Sequence, residues 1–246
     1  MKVTVVGYWH AYPEKESATS GYLIEEDGYS ILVDCGSGVI SQVQRYVALE
    51  DIDAIVISHY HQDHIADVGA FHYFRLLQKY TNPSSVKPFT IYGHRDDEEG
   101  FQRLSYKDVV TAIPYSSHAP LVIGPFTFTF YPTIHPVPCY AMKIATKNTS
   151  IFYTADTSFS PSLAEAAFGS SLMIAECSMY KGQDATPAGH MNSSDAGRLA
   201  HMAKVPQLLL THLPHFGNHQ KLIKEAKEEC LDVKVDIATS GWSITL

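Results

Sequence analysis

The feature of this sequence that most restricts its fold is a run of histidines placed directly after a predicted strand. Residues 58–64 read Ser-His-Tyr-His-Gln-Asp-His and follow the apolar segment 54–57, which has the length and composition of a buried strand. Burying three imidazoles and a carboxylate without partners would be costly, so the fold must bring other polar groups to the same place. His59 and His61 point to the same side of an extended segment. The Asp-His pair that ends the run lies where the chain turns towards a helix, which suits two ligand pairs directed at two neighbouring metal ions.

Three further candidate ligands stand at or just after the ends of other predicted strands. His135 follows one strand in a proline-rich loop, Asp156 follows a second, and His212 follows a third. Taken alone, each of these side chains would be interpreted as structural. Polar groups at the carboxyl ends of neighbouring strands meet at one edge of a sheet, so together with the histidine run they indicate one metal site. Its nitrogen and oxygen ligands suit zinc and, less exclusively, manganese or iron.

The rest of the chain alternates between apolar segments of strand length and segments with helical spacing. Strands are predicted at residues 2–6, 21–26, 30–33, 54–57, 89–92, 126–131, 140–146, 150–154, 172–175, 207–210 and 233–237. Helices are predicted at about 39–50, 65–80, 98–112, 161–168, 193–203 and 218–230. Strands come first and then alternate with helices, a pattern typical of sheets covered by helices, and we assign the α/β class.

No low-complexity stretch or long linker interrupts the sequence, so we predict one domain, 1–246, and a faint internal repeat indicates that it is built of two similar halves. Residues 21–34 and 139–156 each read as strand, turn, strand and Asp, and each is followed later by an apolar strand that ends in Ser-His or Thr-His. The alternative is that β-hairpins simply resemble one another. If the halves are related, they face each other and collect their polar residues at a shared edge.

Charge and composition restrict the partners that this chain can bind and the cellular compartment in which it is expected. The chain has 18 Lys and Arg against 26 Asp and Glu, a formal net charge of −8, which argues against an extended basic surface for long nucleic acid. No apolar run approaches the ~20 residues of a membrane span, and the first residues read as a strand rather than as a signal peptide. The four cysteines form no CxxC pair and suit a reducing cytosol. We therefore predict a cytoplasmic protein without a membrane partner.

The histidine run, the distant His135, the strand-terminal Asp156 and the late His212 together resemble the metallo-β-lactamase fold superfamily. The match spans the chain and includes the segment 34–38, Asp-Cys-Gly-Ser-Gly, which is similar to the family's first motif. The resemblance implies an α/β fold of four layers, an αββα sandwich with its metal site at one edge. It also implies that one Zn²⁺ is bound by His59, His61 and His135, a second by Asp63, His64 and His212, and that Asp156 bridges both. Asp34 would orient a ligand or the loop behind it.

Two further residues resemble the ribonuclease Z branch of that superfamily. Glu176 ends a predicted strand, and His190 opens the predicted helix 193–203. In that branch the glutamate orients the histidine, which donates a proton to the leaving oxygen or holds the scissile phosphate. The alternative interpretation is a helix-capping histidine beside a surface glutamate.

The chain also departs from ribonuclease Z. Only 21 residues separate His135 from Asp156, and the predicted hairpin 140–154 occupies most of them. The long arm with which ribonuclease Z grips tRNA has no room there, and the acidic run 96–99 disfavours tRNA further. Smaller phosphodiesters, such as an RNA end or a cyclic nucleotide, remain as substrates.

The resemblance implies a dinuclear zinc-dependent hydrolase, a phosphodiesterase or ribonuclease in which a metal-bridging hydroxide attacks the phosphorus. Asp63, His190 and Glu176 are the predicted catalytic residues. The positive charge of two Zn²⁺ ions exceeds the negative charge of Asp63, Asp156 and one hydroxide by about +1. This surplus attracts an anionic phosphodiester. The alternatives are a zinc hydrolase of carboxylic esters, thioesters or lactones, and a non-enzymatic binding protein. The resemblance also implies that two copies can associate as a homodimer.

Four aromatic residues in the loop after the first strand are left with two interpretations. Tyr8, Trp9, His10 and Tyr12 either stack on a base of the substrate or pack within the loop. His94, at the end of another predicted strand, either reaches the substrate or packs in the core.

Overall fold

Two seven-stranded sheets form the centre of the described part of the molecule. The computed structural model describes residues 1–83, 86 and 88–246. The strands are β1 (Lys2–Gly7), β2 (Gly21–Glu26), β3 (Tyr29–Val33), β4 (Ala54–Val56), β5 (Phe89–Gly93), β6 (Val110–Pro114), β7 (Leu121–Ile123), β8 (Phe126–Pro132), β9 (Tyr140–Ala145), β10 (Ser150–Tyr153), β11 (Leu172–Glu176), β12 (Gln207–Thr211), β13 (Lys234–Ile237) and β14 (Ser243–Thr245). The first sheet has the order β14-β1-β2-β3-β4-β5-β6 and the second β13-β12-β11-β10-β9-β8-β7.

The two sheets share one pattern of strand pairing. In the first, three antiparallel pairs (β14-β1, β1-β2, β2-β3) are followed by three parallel pairs (β3-β4, β4-β5, β5-β6). In the second, three antiparallel pairs from β7 to β10 are likewise followed by three parallel pairs from β10 to β13. This shared order supports the proposal of one domain with two similar halves.

Among the described residues, seven helices lie on the outer faces of the sheets. They are α1 (Val39–Val43), α2 (Gln62–Ile65), α3 (Val68–Thr81), α4 (Glu98–Gln102), α5 (Pro161–Ala167), α6 (Ser193–Ala203) and α7 (His219–Glu229), with short 3₁₀ turns at Leu49–Asp51 and Thr186–Ala188. None of the helices in the described part of the chain has the length and apolar character needed to span a membrane.

Both faces of each sheet are buried, which explains the nearly continuous apolar runs of the central strands. Tyr22 and Ile24 of β2 point into the layer between the sheets, whereas Leu23 of β2 and Leu32 of β3 point outward to the helices. Successive side chains of a strand alternate between the faces, so one strand serves two core layers. The helices of the second sheet enclose a third layer of the core. The predicted four-layer αββα sandwich is therefore confirmed.

Two helix predictions are wrong in their second halves. The helix predicted at about 39–50 ends at Val43, and a 3₁₀ turn follows at Leu49–Asp51. The spacing predicts a helix at about 98–112, but α4 ends at Gln102 and β6 begins at Val110. The reason is that Val109, Val110 and Thr111 are β-branched and prefer an extended backbone. They extend the first sheet by pairing in parallel with β5. The edge strands β7 and β14 are also absent from the prediction, because each has only three residues.

The strands deliver the predicted site residues to one edge of the sandwich. Asp34 directly follows β3, and the histidine run follows the parallel neighbour β4. In the second sheet Glu176 is the last residue of β11, and His212 directly follows β12. The carboxyl ends of parallel strands lie together, so these side chains converge.

Candidate metal centre

Three imidazoles and a carboxylate form the first half of a buried cluster. The Nε2 of His59 and the Nε2 of His135 each lie 3.1 Å from the Nδ1 of His61. A carboxylate oxygen of Asp156 lies 3.6 Å from the His59 nitrogen and 4.0 Å from the His135 nitrogen. These four side chains are placed so that each could offer one atom to a single ion.

The second half of the cluster shares Asp156 with the first. Its other members are Asp63, His64 and His212, and the Nε2 of His212 lies 3.1 Å from Oδ2 of Asp63. The two oxygens of Asp156 lie 3.4 Å from His64 Nε2 and 3.5 Å from His212 Nε2. The structure thus brings all seven predicted ligands together and places Asp156 between the two groups.

Hydrogen bonds behind the cluster fix which nitrogen of each histidine faces it. Ser58 donates its single hydroxyl hydrogen to Asp34 at 2.9 Å, so its oxygen accepts from Nδ1 of His59 at 3.1 Å. His64 donates from Nδ1 to the same Asp34 carboxylate at 2.8 Å. Both histidines therefore turn an unprotonated Nε2 towards the cluster when they are neutral.

The second sheet repeats this arrangement. His135 donates from Nδ1 to the carbonyl oxygen of Gly189 at 3.0 Å. His212 donates from Nδ1 to Ser178 Oγ at 3.0 Å, and Ser178 donates its own hydrogen to Glu176 at 3.0 Å. Second partners of this kind orient metal-binding histidines and raise their basicity.

The chemistry of the converging atoms fits divalent metal ions. The facing nitrogens of His59 and His135 each lie 3.1 Å from that of His61, close to the ~3.3 Å that separates tetrahedral ligands with Zn–N distances of about 2.0–2.1 Å. Lone pairs facing one another at this distance repel unless a cation lies between them. Asp156 is only 2% exposed, yet its Oδ1 has no hydrogen-bond partner among the described residues. A buried carboxylate oxygen of this kind needs a cation.

Backbone strain concentrates around the cluster. Asp34, Ala155 and His212 adopt left-handed backbone angles, with φ of 59°, 50° and 53°. Ala11, whose N–H donates to Asp63 Oδ2 at 2.9 Å, has φ of 61°. Left-handed angles cost non-glycine residues about 1–3 kcal/mol each and persist where the surroundings impose them, as at functional sites.

The surroundings shift the pKa values of the cluster in two directions. Burial lowers the pKa of His59, His61 and His135, which keeps these imidazoles neutral and available as ligands. Burial would also lower the pKa of His64, but the carboxylates of Asp156, Asp63 and Asp34 raise it well above its usual range. An ion in the second half of the cluster therefore competes with a proton for His64.

Glu176 and His190 form a pair at the rim of the cluster. Nδ1 of His190 donates to Oε1 of Glu176 at 2.8 Å, and the fully buried carboxylate also accepts from the backbone N–H of Thr157 and of Met191. Burial alone would lower the pKa of His190, but the charge and hydrogen bond of Glu176 raise it to about 9. The His190 ring lies 5.3 Å from the rings of both His135 and His212, measured between centroids. It therefore faces both halves of the cluster.

Several residues behind the cluster are missing from the sequence-based prediction. Ser58 and Ser178 carry the hydrogen bonds described above, and Tyr153 donates from its hydroxyl to Asp34 at 2.9 Å. The position of each serine beside a predicted site residue is the only signal in the sequence. Tyr153 gives none, because it meets Asp34 only through the packing of the two sheets. His94 packs against the rings of Tyr60 and Tyr140 and is 1% exposed, in line with the packing interpretation.

The fold and the cluster together define a protein of the metallo-β-lactamase type with a site suited to divalent metal ions, and comparisons with known proteins agree. A sequence model described as a beta-lactamase superfamily domain matches residues 29–213. A probable metallo-hydrolase, YhfI, of Bacillus subtilis (strain 168) is 48% identical over 242 residues, 98% of each protein. The crystal structure of the metallo-beta-lactamase fold protein YhfI has a TM-score of 0.94 at 46% identity and covers 99% of this chain and 98% of its own.

Ribonuclease Z is a more distant relative. The enzyme of Thermobifida fusca (strain YX) is 29% identical over 154 residues, 58% of this chain and 46% of its own. Human tRNase Z, short form, has a TM-score of 0.78 at 21% identity, with 100% of this chain and 99% of that chain covered, which shows a common fold.

The chain belongs to the beta-lactamase superfamily, and its relatives support the ribonuclease Z-like branch. Its fold is that of a relative described as a probable metallo-hydrolase, and its His/Asp cluster is suited to divalent metal ions.

Proposed function

We propose that this chain is a dinuclear zinc-dependent phosphodiesterase of the ribonuclease Z type that acts on small phosphodiesters, such as an RNA end or a cyclic nucleotide. The observation that carries the proposal is the Glu176–His190 pair, joined at 2.8 Å and facing both halves of the cluster. A simple ester hydrolase needs no second, separately oriented imidazole beside the ions. A phosphodiesterase uses one to supply a proton to the leaving oxygen.

The seven clustered side chains are the proposed zinc ligands. His59, His61 and His135 would hold one ion, Asp63, His64 and His212 the other, and Asp156 both. When bound, the two ions would supply Lewis acidity and bring the ionisation of water close to pH 7. The ligands include only two carboxylates, Asp63 and Asp156, so their charge does not neutralise two divalent cations. The loaded site therefore attracts an anionic phosphodiester despite the net charge of −8.

The proposed role of His190 follows from its hydrogen bond. Because Nδ1 donates to Glu176, the other nitrogen, Nε2, is the one that can present a proton to a substrate oxygen. The carboxylate favours the protonated imidazole and restricts rotation of the ring. Glu176 is thus a positioning residue, and His190 is the proposed proton donor.

The proposed substrates are small because this part of the molecule has no extended arm. The loop between β8 and β9 is formed by residues 133–139, and β9 returns directly through a hairpin to β10. A polynucleotide-gripping insertion between His135 and Asp156 would need far more than the 21 residues that separate them.

The first test follows hydrolysis of bis(p-nitrophenyl) phosphate by the chain loaded with zinc or manganese. We expect two metal ions per chain and measurable turnover. His190→Ala should lower kcat/KM by about 10²–10⁴-fold while the metal content stays at two. The matched control is His201→Ala, an exposed histidine on α6, which should leave both values unchanged.

Two results would overturn the proposal. The first is turnover of p-nitrophenyl acetate, a thioester or a lactone together with none on phosphodiesters, which would indicate the ester hydrolase alternative. The second is full phosphodiesterase activity in His190→Ala, which would support the alternative interpretation of His190 as a helix-capping residue.

A further inference from the structure

A cavity of about 290 Å³ adjoins the metal cluster and has no role in the proposal above. It lies between the loop after β1 and the loop after β12. The ring of His10, on one wall, stacks on the ring of the proposed ligand His212 with 4.6 Å between centroids. Ser178, on another wall, is bonded to Nδ1 of His212 at 3.0 Å. A group bound in this cavity would therefore lie beside a phosphodiester held at the cluster.

One wall of the cavity is a set of stacked aromatic rings. The ring of Tyr12 lies 3.7 Å from the ring of His215 at an interplanar angle of 4°. The ring of Trp9 lies 4.9 Å from the same imidazole at 14°. His215 is held at both nitrogens, by the carbonyl oxygen of His10 at 2.6 Å and by Glu14 at 3.1 Å. The wall is therefore ordered before any ligand binds, which lowers the entropic cost of stacking.

The lining is apolar and partly open to solvent. Tyr12 is 55% exposed and Phe216 is 49% exposed. Pro214, from the loop after β12, and Met179, from the loop after β11, also line the cavity. No Lys, Arg, Asp or Glu is among the described residues that line it. Large aromatic side chains exposed beside a polar site mark a surface that binds something. Only the imidazoles of His10 and His215 can carry a charge in this lining, and both nitrogens of His215 already face Glu14 and the His10 carbonyl oxygen. The lining therefore favours a neutral, flat group over a second phosphate.

We infer that this cavity is the subsite for the nucleobase of a nucleotide substrate, with Tyr12 and Phe216 as the stacking residues. The inference rests on the proposed phosphodiesterase function and specifies its substrate class. The volume is at the small end of the ~300–1,000 Å³ of ligand pockets, so it suits one base rather than an oligonucleotide. Stacking on aromatic side chains tolerates every base, so the subsite favours nucleotides over other phosphodiesters without strong preference among bases.

The test compares two phosphodiesters that share a leaving group. Thymidine 5′-monophosphate p-nitrophenyl ester carries a base, and methyl p-nitrophenyl phosphate does not. In the zinc-loaded protein, Tyr12→Ala and Phe216→Ala should each raise KM for the thymidine ester by about 5- to 150-fold. KM for the methyl ester should change less than twofold. Tyr12→Phe keeps the ring and should behave as the parent, and so should Phe168→Ala, a matched exposed aromatic distant from this cavity.

A binding measurement separates this inference from the proposed activity. Trp9 and Trp242 are the two tryptophans of the chain, so a Trp242→Phe variant reports Trp9 alone. Adenosine should quench its fluorescence saturably, ribose should not, and Phe216→Ala should weaken the adenosine response.

Three outcomes would contradict the inference while leaving the proposed function intact. The first is an equal effect of the variants on KM for both esters, which would place the nitrophenyl group in the cavity. The second is no effect on KM for either ester. The third is no fluorescence response to adenosine. Absence of turnover on both esters together with adenosine quenching would instead refute the phosphodiesterase proposal and retain a base-binding cavity.

Discussion

At the scale of single residues, the hydrogen bonds behind the cluster converge on Asp34. Its fully buried carboxylate accepts from Ser58 at both N and Oγ, from His64 and from the Tyr153 hydroxyl, at 2.8–2.9 Å. These donors come from both sheets. The residue thus connects the ligand His64 with the serine that orients His59 and with the opposite sheet.

Asp34→Asn should weaken both metal binding and the fold. An amide cannot accept from all four donors, because its NH₂ group faces a donor and leaves it unpaired, at a cost of about 1–3 kcal/mol in unfolding free energy. We expect zinc affinity, measured by competition with a chromophoric chelator, to fall about 10- to 100-fold. Asp53→Asn is the matched control, because Asp53 accepts only from the backbone of Ser30 in the contacts described, and it should keep the parent affinity. Unchanged affinity in Asp34→Asn would show that these hydrogen bonds do not orient the ligands.

At the scale of secondary-structure elements, the local sequence predicts the two ends of α6 but not how closely this helix packs on α7. The helix begins and ends where the pattern predicts, at Ser193 and Ala203, because Asn192 and Asp195 form a capping box at its start. The pattern does not indicate that α6 packs closely on α7. At Gly197 an added Cβ would collide with the backbone carbonyl of Ala226 in α7.

Gly197→Ala should therefore destabilise the protein although alanine is the better helix former. Separating the two helices to admit a methyl group should cost about 1–3 kcal/mol in unfolding free energy. Gly69→Ala in α3 is the matched control, because nothing lies within 4 Å of its added Cβ. That variant should be neutral or more stable by up to about 1 kcal/mol. Urea unfolding of both variants measures the difference, and equal stability would show that α6 and α7 can separate at little cost.

At the scale of the whole molecule, the metal cluster joins the two sheets. His59, His61, Asp63 and His64 follow β4 of the first sheet, whereas His135, Asp156 and His212 follow strands of the second. Bound ions would connect these two sets of ligands, and they bind the folded chain only. Binding free energy is then added to the unfolding free energy.

Chelation should lower the melting temperature. Zinc at about 1,000 times its Kd stabilises the folded state by about 4 kcal/mol. For a chain of this size that corresponds to a fall of roughly 8–16 °C in Tm when the metal is removed. Differential scanning calorimetry with and without EDTA measures the shift, and added zinc should restore it. A His59→Ala/His212→Ala variant should respond far less to the chelator. An equal response in that variant would place the stabilising ion elsewhere.

The local sequence is sufficient to predict the side chains of the site and the strand ends that carry them. The spacing of His59 and His61, and the polar residues that follow apolar strands, depend only on the local geometry of an extended chain. Glu176 and His190, 14 residues apart, are also joined as the resemblance implies.

The stacking of the two sheets brings together distant groups that neither the local pattern nor the resemblance predicts. Tyr153 of the second sheet reaches Asp34, which follows a strand of the first, at 2.9 Å. The stacked wall of Tyr12 and His215 is likewise formed by loops from opposite ends of the chain. The physical reason is that local spacing fixes the direction of a side chain within its own element. The distance between two elements depends on how the sheets stack and on the register of every strand between them.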